Sequence, residues 1–184
     1  MSAVREWLER LALTHPEISF RLESDGRTLL NLKRCTEEER VRSILADGED
    51  YPLVSAEIES GLQQTIRGKI YWVQGMSVSH ARKLVQVING RAVRDRLVQQ
   101  ALLIPFRQAL LPGQFPAAFL RLDLPPADLD VNVHPAKTEI RFIESGRLFK
   151  AVVTLATRLI TDHGVHGFAA GPRAASGATP GWSA

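Results

Sequence analysis

The segment Asp130-Val131-Asn132-Val133-His134-Pro135-Ala136-Lys137-Thr138-Glu139-Ile140-Arg141-Phe142 decides how the rest of the chain is read. Val131 and Val133 alternate with Asp130, Asn132 and His134, so apolar and polar side chains project to opposite faces of an extended strand. Pro135 stops that strand, because it has no N–H to donate and biases His134 toward an extended conformation. Ala136-Lys137-Thr138 makes a short tip, and Ile140-Arg141-Phe142 resumes the alternation. The pattern predicts a two-stranded frame with a lone lysine at its end. Such a frame aims one positive charge at an anion held outside the domain.

Outward from this segment, the chain alternates helices and strands. Val4, Trp7, Leu8 and Leu11 repeat at helical spacing, and Pro16 ends that helix. Two short strands, 19–23 and 28–32, flank Asp25-Gly26, a pair suited to the positive φ angles of a tight hairpin. Thr36 with Glu39 three residues later forms a capping box for a helix through Ala46, closed by Gly48. Strands are expected at 54–59 and 62–73, with a polar loop over 75–81 and a further strand at 84–89.

A helix is expected from about Asp95 to Leu110. Pro105 should kink it, at roughly 3 kcal/mol relative to a good helix former. After a buried strand at 119–124 and the two-stranded frame, Ser145 is placed to cap a last helix. Its apolar side carries Phe149, Val152, Val153, Leu155, Ala156 and Leu159. From Gly164 onward Gly, Ala, Pro and Ser dominate, which reads as a flexible linker.

Composition narrows the class without naming a function. With 184 residues, 45% of them hydrophobic, and a mean hydropathy of −0.07, the chain can bury the core of one ordinary domain. Cys35 is its single cysteine, which excludes an internal disulfide framework and a cysteine-based zinc site. No signal peptide or membrane-length apolar run is visible, so a cytoplasmic location without membrane contact is expected.

The charge is segregated along the chain. Glu37, Glu38, Glu39, Asp47, Glu49, Asp50, Glu57 and Glu59 outnumber Arg40 and Arg42. Arg67, Lys69, Arg82, Lys83, Arg91, Arg94 and Arg96 then face Asp95 alone. The plain reading is a pair of solvated faces, but an arginine-rich stretch also suits phosphate contacts through guanidinium forks. Arg91, Arg94 and Arg96 stand at or just before a helix N-terminus, where a cation is unfavourable unless an anion lies opposite. Asn89-Gly90 ahead of them is a strong turn signal in its own right. Asp130, Asn132 and His134 share a strand face and invite a divalent metal. No further acid or histidine is placed to complete that site, so no metal is expected.

The 130–142 segment resembles the signature of the MutL family of DNA mismatch repair proteins, Asp-Val-Asn-Val-His-Pro-x-Lys-x-Glu-Val-Arg-Phe, with Ile140 in place of valine. Val87-Ile88-Asn89-Gly90-Arg91-Ala92-Val93-Arg94-Asp95 and Leu11-Ala12-Leu13-Thr14-His15-Pro16-Glu17-Ile18-Ser19-Phe20 are similar to two further family stretches. The likeness covers roughly residues 4–162. It implies an α+β fold, a mixed sheet with helices mainly on one face: the ribosomal-protein-like transducer domain shared with the gyrase B subunit and other Bergerat-class ATPases. It also implies a left-handed βαβ crossover, against the general right-handed preference.

On that resemblance, residues 1–16 are a helix entering from an ATP-binding domain, 17–162 the transducer domain, and 163–184 a linker. The Asp-x-Gly-x-Gly, Gly-Phe-Arg-Gly-Glu and Walker A patterns of nucleotide pockets are missing from the sequence. ATP and its Mg are therefore expected on a separate ATP-binding domain, and this chain is not expected to be an enzyme on its own. The resemblance gives Lys137 the role of γ-phosphate sensor, supported by Asp130, Asn132, His134, Thr138 and Glu139. A charge-assisted hydrogen bond of this kind contributes roughly 1.5–3 kcal/mol, enough to bias a two-state arrangement. Arg96, then Arg94 and Arg91, are the expected DNA contacts. Single- or double-stranded DNA, a mismatch-recognition protein and a helicase are the expected partners of a nucleoid-associated, monomeric piece. Two other readings stay open: a stand-alone RNA- or DNA-binding module of the same fold, and the equivalent domain of a gyrase-like ATPase.

Overall fold

The computed structural model describes residues 2–61, 65–107, 110–126, 129–130 and 141–164. Helix α1 (Ser2–Thr14) leads to a hairpin of β1 (Phe20–Ser24) and β2 (Arg27–Leu32), then to α2 (Glu37–Leu45). Strands β3 (Leu53–Ser60) and β4 (Ile66–Val78), a 3-10 turn at Ala81–Lys83, β5 (Leu84–Ile88) and β6 (Arg91–Val93) follow. After them come α3 (Arg96–Phe106), β7 (Phe115–Asp123), β8 (Leu129–Asp130), β9 (Arg141–Phe142) and α4 (Ser145–His163).

Five strands form one mixed sheet in the order β3-β4-β7-β5-β6. All neighbours are antiparallel except β5 and β7, which run parallel, Leu84 opposite Ala118 and Ile88 opposite Leu122. A parallel pair needs a crossover, and here it passes through β6 and α3. The period-2 alternation sends Ile66, Ile70, Trp72, Ala118, Leu120 and Leu122 to one face. There they form one core with Val98, Leu102 and Phe106 of α3 and Leu148, Val152, Leu155 and Leu159 of α4. Trp72 and Phe106 meet edge to face at 5.2 Å between ring centroids. Gly68 sets how close α4 comes, since a Cβ there would lie 3.0 Å from Leu155 Cδ2.

The opposite face is half covered. Tyr71, Val73, Val85, Val87, Ala117 and Phe119 form a second core with Leu13 of α1 and Val41 and Leu45 of α2. Each fully buried Leu, Val or Phe in these layers contributes roughly 1.5–3 kcal/mol of transfer free energy. The other half of that face holds charged cross-strand pairs, Glu57 against Lys69 and Glu59 against Arg67.

The β1–β2 turn carries Asp25 at φ 50° and Gly26 at φ 73°, as the Asp-Gly pair requires. The Thr36–Glu39 capping box is present in both directions. Four local expectations differ. Residues 75–78 are not loop: β4 runs on to Val78 through a bulge opposite β7, with Gly75 at φ 83° absorbing the bend. Asn89-Gly90 does more than end a strand. With φ angles of 47° and 75° it turns β5 into the short edge strand β6, which three residues between a turn and a helix cap do not announce by periodicity.

Helix α3 stops at Phe106 rather than Leu110, one residue past Pro105, which has no N–H to bond the carbonyl four residues back and whose ring crowds it. Ser145 is the first helical residue of α4 rather than its cap; Glu144 takes that position without a side-chain cap bond. Residues 131–140, the core of the signature, and the tail from 165 lie outside the described residues. The ends of the frame are described: Leu129 pairs with Phe142 and Asp130 with Arg141, antiparallel.

Candidate nucleic-acid interface

The three candidate arginines are brought to one junction. Asn89 anchors it, its side-chain amide donating to the Leu124 carbonyl at 2.9 Å while its side-chain oxygen accepts from Leu124 N at 2.7 Å. The Asn-Gly turn then sends β6 back along β5, placing Arg91 opposite Ile88 on the sheet edge. Buried Gln86 accepts from Asp95 N at 3.1 Å, and Asp95 caps α3 by accepting from Val98 N at 2.9 Å. With Val93 buried between them, Arg91 and Arg94 stay exposed, and Arg96 begins α3 exposed as well. Arg91 and Arg96 have no acidic partner among the described residues.

Arg94 does have one. Its Nη2 donates to Glu6 Oε1 of α1 at 2.7 Å. The same oxygen accepts from Arg10 Nη2 at 2.7 Å, and Arg82 Nε lies 4.0 Å from Glu6 Oε2. One carboxylate thus faces three guanidinium groups. Burial lowers the pKa of Arg10, and the positive charge of Arg94 lowers it further. Beside this cluster a groove of about 290 Å³ runs between α1, α2 and the start of β5, bounded by Arg5, Glu9, Asp47 and Lys83 among others. Burial also lowers the pKa of Lys83, which donates to the Leu45 carbonyl at 2.8 Å.

The rest of the basic stretch is neutralised by the fold. Lys69 pairs with Glu57 at 2.6 Å, and that hydrogen bond raises its pKa. Arg67 Nε is 3.2 Å from Glu59, and on neighbouring β7, outside the stretch, Arg121 pairs with Glu37. Of the seven bases read as a track, only Arg91 and Arg96, with Arg82 loosely held, remain open among the described residues. The charge count missed Glu6, Arg10 and Arg82 as a unit with Arg94. Glu6 and Arg10 are visible as an i,i+4 pair, but the link to Arg94 needs α1 laid beside the β6 edge.

Lys137, Asn132, His134, Thr138 and Glu139 lie outside the described residues, and of Asp130 only the backbone pairing is described. Among the described residues no group of three His, Cys, Asp or Glu side chains could hold a metal ion, and no helix is long and apolar enough to cross a membrane.

The family described as "DNA mismatch repair protein, C-terminal domain" matches residues 52–161. The DNA mismatch repair protein MutL of Neisseria meningitidis serogroup C is 36% identical over 155 residues, 84% of this chain and 23% of its own length. MutL of Geotalea daltonii is 35% identical over 149 residues, 81% of this chain and 25% of its own. The chain therefore spans only 23–25% of the length of these curated relatives. A crystal structure described as the N-terminal domain of a DNA repair protein superposes with a TM-score of 0.72 at 20% identity. It covers 88% of this chain and 53% of that one, and at this identity shows a shared fold. The family match extends over more than half the sequence, and the chain belongs to the MutL family of DNA mismatch repair proteins.

Proposed function

We propose that this chain is a coupling domain: it links ATP binding in a companion domain to the holding of DNA and repair partners, and performs no reaction alone. The observation that carries the DNA part is the β6–α3 junction, where exposed Arg91 and Arg96 flank a helix start and have no acidic partner among the described residues. Cations at a helix N-terminus are repelled by its dipole, so the arrangement gains most when a phosphate lies against it. Relatives named as DNA mismatch repair proteins support the same reading.

The ATP part rests on the sequence of the 130–142 segment. Lys137 would meet the γ-phosphate of a nucleotide held, with its Mg, by the companion domain. The α1–α2 groove does not fit a nucleotide, since three carboxylates, Glu6, Glu9 and Asp47, line it. Val4 and Trp7, exposed on α1 at helical spacing, give a companion domain an apolar face to sit on.

The test is fluorescence anisotropy of labelled single- and double-stranded DNA against this chain over a salt series, beside Arg94→Glu/Arg96→Glu. Binding that falls steeply with salt and is lost in the variant is expected. Equal binding by the two proteins would remove the interface. For Lys137→Ala in a chain that includes the companion domain, weaker ATP-dependent closure with the fold intact is expected. Unchanged closure and ATPase rate would remove the sensor role.

A further inference from the structure

We infer that Glu6 is a built-in stand-in for a DNA phosphate, occupying the arginine cluster of α1, the 3-10 turn and β6 until nucleic acid displaces it. The inference rests on the DNA reading above and deepens it, by naming the residue that holds part of the interface closed. Its basis is geometric. Glu6 Oε1 accepts from both Arg94 Nη2 and Arg10 Nη2 at 2.7 Å, and Arg82 Nε approaches the other oxygen at 4.0 Å.

A carboxylate held by several guanidinium groups has the charge and acceptor geometry of a phosphate oxygen pair. The site carries more cation than anion, so exchanging Glu6 for a phosphate keeps every guanidinium paired. Arg94 is far more open to solvent than Arg10, its side chain 69% exposed against 20%. It can swing from Glu6 toward the open Arg91 and Arg96 side without unpacking the core. Because Glu6 sits on the first helix while Arg94 belongs to the sheet edge, any shift of α1 alters how firmly the cluster is covered. The contact is thus a brake on DNA binding that a movement of α1 releases.

Glu6→Gln keeps the shape and removes the charge. Losing any acid raises affinity for a polyanion, so the matched comparison is Glu9→Gln, one helical turn away, whose carboxylate pairs with Arg5 instead. On duplex DNA at fixed salt, Glu6→Gln is expected to bind about three- to fivefold more tightly than Glu9→Gln, the range of an exposed ion pair. Its salt dependence should steepen by about one phosphate contact, a slope change near 0.9. In an Arg94→Ala background the advantage of Glu6→Gln should disappear, because the two residues act through one contact. Circular dichroism on each variant separates these effects from loss of fold.

Equal gains for Glu6→Gln and Glu9→Gln, or a Glu6→Gln gain that survives Arg94→Ala, overturn the inference and leave the DNA interface standing. Binding by wild type that ignores Arg94→Glu/Arg96→Glu removes both. If wild type binds no DNA at low salt, acquisition of binding by Glu6→Gln alone supports the brake, and its failure to bind sinks brake and interface together.

Discussion

Arg40 is a buried cation held by the backbone of three other segments. Its side chain is fully buried, and its Nη2 reaches the carbonyls of Pro16, Ile18 and Lys33 at 3.0, 2.8 and 2.8 Å. Nε and Nη1 have no hydrogen-bond partner among the described residues, and the guanidinium carbon lies 5.7 Å from the centre of the Phe20 ring. A buried cation with no carboxylate partner among the described residues is tolerated because carbonyl dipoles and a ring face carry the compensation. Arg40 therefore ties the end of α1, the start of β1 and the end of β2 to α2. Arg40→Met, of similar length but without donors, should destabilise the domain by about 3 kcal/mol in urea unfolding, since it strands buried carbonyls. A loss below 1 kcal/mol would show that water replaces those bonds. Nothing in the sequence marks Arg40: it sits among charged neighbours in the first turns of α2, and its burial depends on carbonyls supplied by residues 16–33.

At the scale of elements, legibility follows from how local the physics is. The capping box of α2 and the Asp-Gly hairpin were readable because every group involved lies within four residues. The same locality makes α2 testable. Thr36 accepts from Glu39 N at 3.3 Å while Glu39 Oε2 accepts from Thr36 N at 2.8 Å. Thr36→Ala should cost about 1 kcal/mol of stability.

The bonds from Thr36 lower the pKa of Glu39 below its ordinary value of 4.5. A depressed carboxylate stabilises the fold above its unfolded pKa, and that contribution is lost as pH falls through the folded pKa. The stability gap between wild type and Glu39→Gln should accordingly be open at pH 7 and close at pH 3; a gap unchanged across that range would refute the reciprocal cap. By contrast, the β4 bulge, the edge strand β6 and the early end of α3 depend on partners far along the chain. Gly75, Asn89 and Pro105 could be seen as breakers, but not what each break would be paired with.

For the whole molecule, the lesson concerns charge. Read along the chain, residues 37–60 are acidic and 67–96 basic, two poles. Antiparallel pairing of β3 with β4 folds much of one pole onto the other, Glu57 to Lys69 and Glu59 to Arg67. What survives is the narrower patch at β6 and α3. That predicts an asymmetry: Arg91→Ala/Arg96→Ala should flatten the salt dependence of duplex binding by nearly two phosphate contacts, about 1.8 in slope. Arg67→Ala/Lys69→Ala should change it much less. Equal flattening by both pairs would mean that DNA tracks the whole sheet and opens the cross-strand ion pairs. The fold class and the family were legible from motif and spacing. The contact of Glu6 with Arg94 was not, because 88 residues separate them.

β7 lies at the centre of the strand order although it is the last of the five to leave the ribosome. Until it arrives, β3–β4 and β5–β6 are two separate ribbons, and isolated two-stranded ribbons are marginal in water. Insertion of β7 joins them at once, and Asn89 latches the new strand at Leu124. Folding must therefore be all-or-none and late, governed by closure of long loops rather than by local helix formation. A nascent chain stalled before residue 115 would carry two exposed apolar ribbons, open to capture by chaperones or by each other.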